Sequence, residues 1–400
     1  MTDTSLSTPV EHPAPTRTWR SYAEVAAVFL KIGATAFGGP AAHVAIMRDE
    51  LVDRRKWVTD QHFLDLLGAT NLIPGPNSSE MTMHLGFVRA GLIGLIVGGT
   101  AFLLPAMLIV IGLAWAYTEY GTTPAAEWLL YGIKPVIIPL IVLALWALGQ
   151  RAVKGRLTGA VGIAAMGLYF LGVNFVILLL AGGVVVMLVQ NRDRLRNIPR
   201  RFGIIPLPLL GSGLGSGLAA AGSSAASFSL WKMFWALFKI GALMYGSGYV
   251  LFAFLQADLV DRFGWLTEQE LIDAIAIGQM TPGPLSTSAT FIGYLLDGVP
   301  GAILATLGIY LPAFIVVAIS NPLIPRIRQS VWAGSMLDGV NVAALGLMAA
   351  VTWELARAAV IDWYTLVVGL AAAVWLFRYK PNSVWLVAFG ALAGLISSAW

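Results

Sequence analysis

Asn71-Leu72-Ile73-Pro74-Gly75-Pro76 and, 208 residues later, Gln279-Met280-Thr281-Pro282-Gly283-Pro284 are the stretches on which the fold turns. Each Pro-Gly-Pro stands in the middle of a long apolar run, Phe63 to Phe87 and Leu271 to Leu296. A helix cannot pass through it, because proline lacks the amide proton and clashes with the preceding turn. Working outward at the same offset, Phe29 to Pro76 lies on Leu237 to Pro284 without a gap, and 17 of the 48 pairs are identical. They include Lys31/Lys239, Gly33/Gly241, Gly38/Gly246, Asp53/Asp261, Trp57/Trp265 and Asp65/Asp273. One residue out of step, Leu104-Pro105-Ala106 lies on Leu311-Pro312-Ala313. The chain is a duplication whose copies carry Gly/Pro interruptions at matching places, a mark of transporter folds.

Composition agrees. Of 400 residues only 12% are charged and 58% are apolar, with mean hydropathy +0.78. A soluble domain carries roughly 25% charged residues, so soluble and disordered classes are excluded, and the long continuous runs exclude a β-barrel. The net charge of +4 reads as basic loops that set orientation, with no nucleic-acid partner. There is no cysteine, and the four histidines lack metal-ligand spacing. No His-Glu-x-x-His occurs, and Gly211 to Gly217 lacks the ending of a nucleotide loop. We expect no metal, no cofactor and no enzyme.

The reading is an all-α polytopic membrane protein of two homologous halves. Residues 1–18 form a disordered tail, 19–190 the first repeat, 191–228 a basic linker, and 229–400 the second repeat. The loop Thr118 to Glu127 has two Glu and no base, whereas its counterpart, Asn321 to Ser330, has two Arg and no acid. The charge bias changes sides, so the positive-inside rule predicts inverted repeats, with an extra crossing within Phe202 to Ser227. Arg17 and Arg20, then Arg48, Arg54, Arg55 and Lys56, then Arg89 all look cytoplasmic although apolar runs separate them. This predicts that Ala23 to Met47 and Phe63 to Phe87 each enter the membrane, break, and return. Broken backbone at that depth is tolerated only against protein or a water-filled cavity, so the working site is expected there.

The helix starting after each break presents free amides at a positive dipole end, a ready anion site. Pro74, Gly75 and Pro76 are followed by Asn77 and Ser78, and Pro282, Gly283 and Pro284 by Ser286 and Thr287. These side chains cap the new helix or donate to ligand oxygens. Gly38 and Gly39 make an equivalent break. His43 either donates to the anion or fixes the broken backbone. Lys31 and Lys239, ionisable groups inside apolar runs, either offset substrate charge or snorkel to the interface. Glu80 and His84 share a helix face and are proton-coupling candidates, without counterparts in the second half. Asp65 and Asp273 are read as structural partners of basic loops, Trp57 and Trp265 as interfacial, and Thr59 and Thr267 as helix caps. The residues alone point to a divalent tetrahedral oxyanion.

Phe37-Gly38-Gly39-Pro40-Ala41-Ala42-His43, Asn71 to Pro76, Gly278 to Pro284 and Thr290-Phe291-Ile292-Gly293-Tyr294 resemble the chromate ion transporter family in its long, two-domain form. The resemblance implies a multi-pass protein of the bacterial plasma membrane that exports chromate, confers chromate resistance, and couples to the membrane potential or the proton gradient. The expected partners are the oxyanion, membrane lipid, a coupling proton and a second copy in a homodimer. Gly246-Ser247-Gly248 departs from the first half's Gly-Gly-Pro. Sulfate or another oxyanion as substrate, an anion channel built from re-entrant segments, and a non-transporting membrane protein are the alternative readings.

Overall fold

The computed structural model describes residues 18–37, 39–70, 73–121, 123–196, 228–244, 248–320 and 331–398. Residues 1–17, Gly38, Gly246, Ser247 and the expected extra crossing at Phe202 to Ser227 lie outside the described set. Thr18 lies inside it and caps the first helix, its side chain accepting from the Ser21 amide.

All described elements are helical. The first half holds α1 (Trp19–Thr35), α2 (Gly39–Arg48, running into a π-turn Asp49–Arg54), α3 (Asp60–Thr70), α4 (Asn77–Tyr120), α5 (Pro124–Ala152), α6 (Arg156–Phe170), α7 (Phe175–Gln190) and the short α8 (Arg192–Arg196). The second holds α9 (Leu230–Leu243), α10 (Val250–Leu255, running into a π-turn Gln256–Arg262), α11 (Glu268–Met280), α12 (Ser288–Ser320, after a 3-10 turn Leu285–Thr287), α13 (Val331–Ala359), α14 (Trp363–Tyr379) and α15 (Ser383–Ser397). Thr267 caps α11 in a capping box with Glu270, and Thr59 accepts from the His62 amide at the start of α3.

α4 is two antiparallel arms with no loop between them. The chain reverses at Ala90 (φ −143°, ψ 20°) and Gly91 (φ 66°, ψ −156°), a left-handed conformation open to glycine. Gly86 and Gly94 then face each other with no room for a side chain. α12 repeats the device at Asp297-Gly298, with Gly293 against Gly301 and the Thr290 and Thr306 hydroxyls 2.8 Å apart.

Polar contacts fix which ends share a membrane face. Glu24, near the start of α1, accepts from Arg55, Trp57 and Arg89, and Arg48 at the end of α2 holds Asp60 at the start of α3 at 2.7 Å. The pairs α1–α2 and α3–first arm of α4 therefore enter and return on one face, as the arginine groups predict. The second arm of α4, Leu92 to Tyr120, is about 40 Å long and crosses. Near its far end Tyr117 donates to Asp273, close to the start of α11. α11 is the counterpart of α3, yet it starts on the opposite face. The halves are inverted repeats with re-entrant helices.

The halves also exchange partners. α5 packs on α14 and α15, α13 on α6 and α7, and α4 on α12 at the centre. Lipid tails offer no hydrophobic drive for helix association, so close approach of small residues carries it. Gly132 of α5 meets the backbone at Gly390 and Gly394, and its counterpart Gly339 of α13 meets Gly182 and Gly183. Four helical stretches, Asn77–Tyr120, Pro124–Ala152, Leu285–Ser320 and Val331–Ala359, are long and apolar enough to cross a membrane. α6, α7, α14 and α15 are shorter apolar helices that pack as hairpins against them.

Candidate functional site

Each Pro-Gly-Pro break is bonded through its backbone to the other half. The Gly75 amide donates to the Met244 carbonyl (2.5 Å), and the Gly283 amide donates to the Ala36 carbonyl (3.0 Å). Ala36 and Met244 are themselves equivalent, 208 residues apart. Each copy therefore ties its break to the end of the other copy's first helix. The helix walls repeat the exchange: a side chain on Gly283 would meet the Ala106 methyl at 2.8 Å, and one on Gly75 would meet the Ala313 methyl at 3.3 Å. Gly75 (φ +149°), Gly283 (φ +90°) and Gly39 (φ +77°) all hold left-handed backbone that disfavours side chains.

After each break the first amides lie ahead of the helical hydrogen-bond ladder. In α4 the Ser79 and Glu80 amides bond to the Pro76 carbonyl, so the helical ladder begins there, just after Asn77 and Ser78. The 3-10 turn Leu285–Thr287 offers the corresponding position in the second half. The segments flanking the two breaks carry buried polar side chains: Ser78, Ser79, Glu80, Thr82 and His84 in the first half and Gln279, Thr281, Ser286, Thr287 and Ser288 in the second. Among the described residues no lysine or arginine is buried with them. An oxyanion held there would meet neutral donors and helix dipoles, not cations.

The residues singled out from sequence fall into distinct roles. His43 is fully buried, and its Nε2 is 3.1 Å from the Ala36 carbonyl, the acceptor that also takes the Gly283 amide. It holds the broken backbone. The Thr287 hydroxyl donates to the Pro284 carbonyl and Ser288 to Leu285, so both brace their own turn. Ser286 accepts from the buried Tyr310 hydroxyl at 2.9 Å. Glu80 is fully buried, its carboxylate lies against Gly75 where a side chain would stand, and neither oxygen has a hydrogen-bond partner among the described residues. His84, one turn on, is also buried.

The lysines are matched within their own halves. Lys31 lies 4.0 Å from Glu50, with its side chain 63% exposed, and Lys239 pairs with Asp258, the residue equivalent to Glu50. Glu50 also accepts from Arg55 at 2.8 Å. That hydrogen bond holds the Glu50 carboxyl below the usual carboxylate range, against the opposing push of burial and with help from the Lys31 charge. The aspartates divide. Asp273 joins Lys134 (3.2 Å) and Tyr117 across the halves, while Asp65 accepts from Gln61 in its own helix.

Three residues at the breaks were not singled out from sequence. Tyr310 has Leu103 as its counterpart, so no repeat signal marks it. The Tyr249 hydroxyl lies 3.7 Å from where a side chain on Gly39 would begin, beside the Gln279 carboxamide. Gln279 did carry a signal, because its counterpart Asn71 is also a carboxamide three residues before the first proline. Among the described residues no cluster of His, Asp and Glu could hold a metal ion.

The family model described as chromate transporter matches the chain twice, over residues 23–187 and 231–395. A probable chromate transport protein of Synechococcus elongatus is 31% identical over 396 residues, 96% of each chain. The chromate transport proteins of Cupriavidus metallidurans and Pseudomonas aeruginosa are 30% and 31% identical, covering 96% and 94% of this chain and 95% and 92% of theirs. No solved structure matches.

Proposed function

The chain belongs to the chromate transporter family, and on that premise we propose that it is a secondary transporter that carries chromate out of a bacterial cell across the inner membrane, giving resistance. The observation that carries this reading is the reciprocal backbone exchange at the breaks, Gly75 to Met244 and Gly283 to Ala36. It fixes each broken helix start against the other half, among buried polar side chains and, in the described residues, no buried lysine or arginine, so that a dianion is held by dipoles and released without breaking an ion pair.

The charge distribution supports the outward direction. Arg48, Arg54, Arg55, Arg89 and Lys154 gather on the face where α1 starts, and Glu127, Glu268, Glu270 and Asp362 on the opposite one. The positive-inside rule makes the basic face cytoplasmic. A dianion is drawn to that face and repelled from the other. A potential of 100 mV, negative inside, contributes about 2.3 kcal/mol per exported charge.

Glu80 supplies the coupling. Its buried carboxylate lies against Gly75, beside the break where the dianion is held, and two negative groups so close favour a proton on one of them. Chromate then leaves with one proton, as one net negative charge. Purified protein in sealed vesicles tests this. With the potential clamped at zero and a pH gradient imposed, chromate accumulates on the alkaline side, up to about tenfold per pH unit. Purely downhill flux would identify a channel, and accumulation on the acid side an exchanger. Sulfate has the same shape and charge, and neutral donors do not read the central atom. Sulfate is therefore expected to compete.

A further inference from the structure

A cavity of about 330 Å³ opens on the acidic face between Tyr117, Glu127, Tyr131, Lys134, Gln269 and Asp273. Its inner wall is a polar cluster drawn from both halves, with Asp273 buried and Lys134, Tyr117 and Gln269 half-buried around it. Lys134 of α5 lies 3.2 Å from Asp273 of α11 and donates to Gln269 at 2.8 Å. Tyr117 of α4 donates to the other Asp273 oxygen at 2.9 Å, and Gln269 donates to the Ala358 carbonyl of α13. Four helices are thus fastened at one point. Asp273 stands on α11, whose next turns carry Ile277 and then the second break, so the cluster lies between the cavity and the breaks along the chain. The sequence does not repeat this cluster in the other half, since Asn341 and Ile324 stand at the positions equivalent to Lys134 and Tyr117.

We propose that this cavity is the outer mouth of the oxyanion path and that Lys134 is its gate residue, leaving Asp273 for the departing dianion as the mouth opens. The inference rests on the transport reading above. A dianion arriving from the breaks competes with Asp273 for the one lysine lining the cavity. Once Lys134 moves, the tie between α5 and α11 is lost. Glu127 at the cavity wall then disfavours return of the anion. A charge pair fits this task because it is strong when dry and weak when wetted, so the gate closes again when water and anion leave.

The chain contains no cysteine, which makes the test direct. The gate reporter is Ile277→Cys, at a position that is buried one turn deeper than Asp273 on the same helix face. The orientation reporter is a separate variant, Tyr120→Cys, at an exposed position. Spheroplasts are treated from outside with a membrane-impermeant maleimide. Labelling of Tyr120→Cys reports that the acidic face is outward, independently of the gate and of any chromate. With Lys134 intact, the thiol of Ile277→Cys is expected to label slowly. When Lys134→Met is added, its labelling rate rises roughly tenfold or more, because one partner of a buried pair is left unmatched. The exchanged pair Lys134→Asp with Asp273→Lys restores protection, which a merely misfolded variant would not do. Unchanged labelling of Ile277→Cys in both the Lys134→Met and the Asp273→Asn backgrounds, with Tyr120→Cys labelling normally, would overturn the gate and leave the anion site at the breaks untouched.

Discussion

Replacing Gly283 with alanine adds one methyl group where the two halves touch. The methyl would lie 2.8 Å from the Ala106 Cβ and 3.5 Å from the Gly33 carbonyl, and the backbone at φ +90° disfavours any side chain. Left-handed strain of about 1–2 kcal/mol and overpacking of about 1–3 kcal/mol act on one short segment. The response is a shift of the break by a few tenths of an ångström or more, weakening the Gly283 amide bond to Ala36 (3.0 Å). Outside this contact the helices are unaffected, so Gly283→Ala inserts and purifies normally. A misplacement of about 1 Å at a reacting or binding centre costs on the order of 100-fold in rate, so vesicle flux of chromate is expected to fall by at least tenfold. The neighbour supplies the control. Ala106→Gly in the same chain removes the colliding methyl and restores part of the flux, limited by about 1 kcal/mol for glycine in a helix. Wild-type flux in Gly283→Ala, or no rescue by Ala106→Gly, would refute the close packing of the two copies at this break.

Glu80→Gln is expected to keep potential-driven flux while losing accumulation driven by a pH gradient alone, measured in the same vesicles. Lys239→Met leaves Asp258, which is buried, with the more distant Arg262 at 3.7 Å as its remaining cation among the described residues. Thermal unfolding should show a loss of about 3 kcal/mol, while the KM for chromate stays unchanged because the lysine serves Asp258, and Asp258→Asn should recover part of the stability. Glu50, whose carboxyl is held below its unfolded value by Arg55, contributes stability that is fully present above the unfolded carboxylate pKa of about 4.3. That contribution is lost as the pH falls through the lower folded value. Glu50→Gln should therefore lose roughly 1 kcal/mol near neutral pH and show a flatter acid limb in denaturation followed by fluorescence.

The repeat, the breaks and the inversion were legible because each is written in local chemistry. Pro74 to Pro76 and Pro282 to Pro284 stop helices wherever they stand, and Arg48, Arg55 and Arg89 mark a face whatever packs around them. The re-entrant course followed from those two signals together. Partners across the halves were not legible, since nothing in Lys134 or Tyr117 points to Asp273 until the halves are docked. The same holds for the exchange of α5 and α13 between hairpins, and for Tyr310 reaching Ser286. His43 could be read two ways because its acceptor, Ala36, becomes a free carbonyl only where α1 ends. The acid partners of the lysines were hidden for a simpler reason. Glu50 and Asp258 are acids at equivalent positions, but a π-turn is needed to bring each back to its lysine.

Electron cryomicroscopy of the protein in lipid nanodiscs with saturating chromate tests the central claim most directly. The dianion is expected as a compact density between the start of α4 at Asn77 and Ser78 and the turn at Leu285 and Ser286, with no lysine or arginine touching it. Density held instead against Lys31 or Lys239, or helices running unbroken through Gly75 and Gly283, would contradict it.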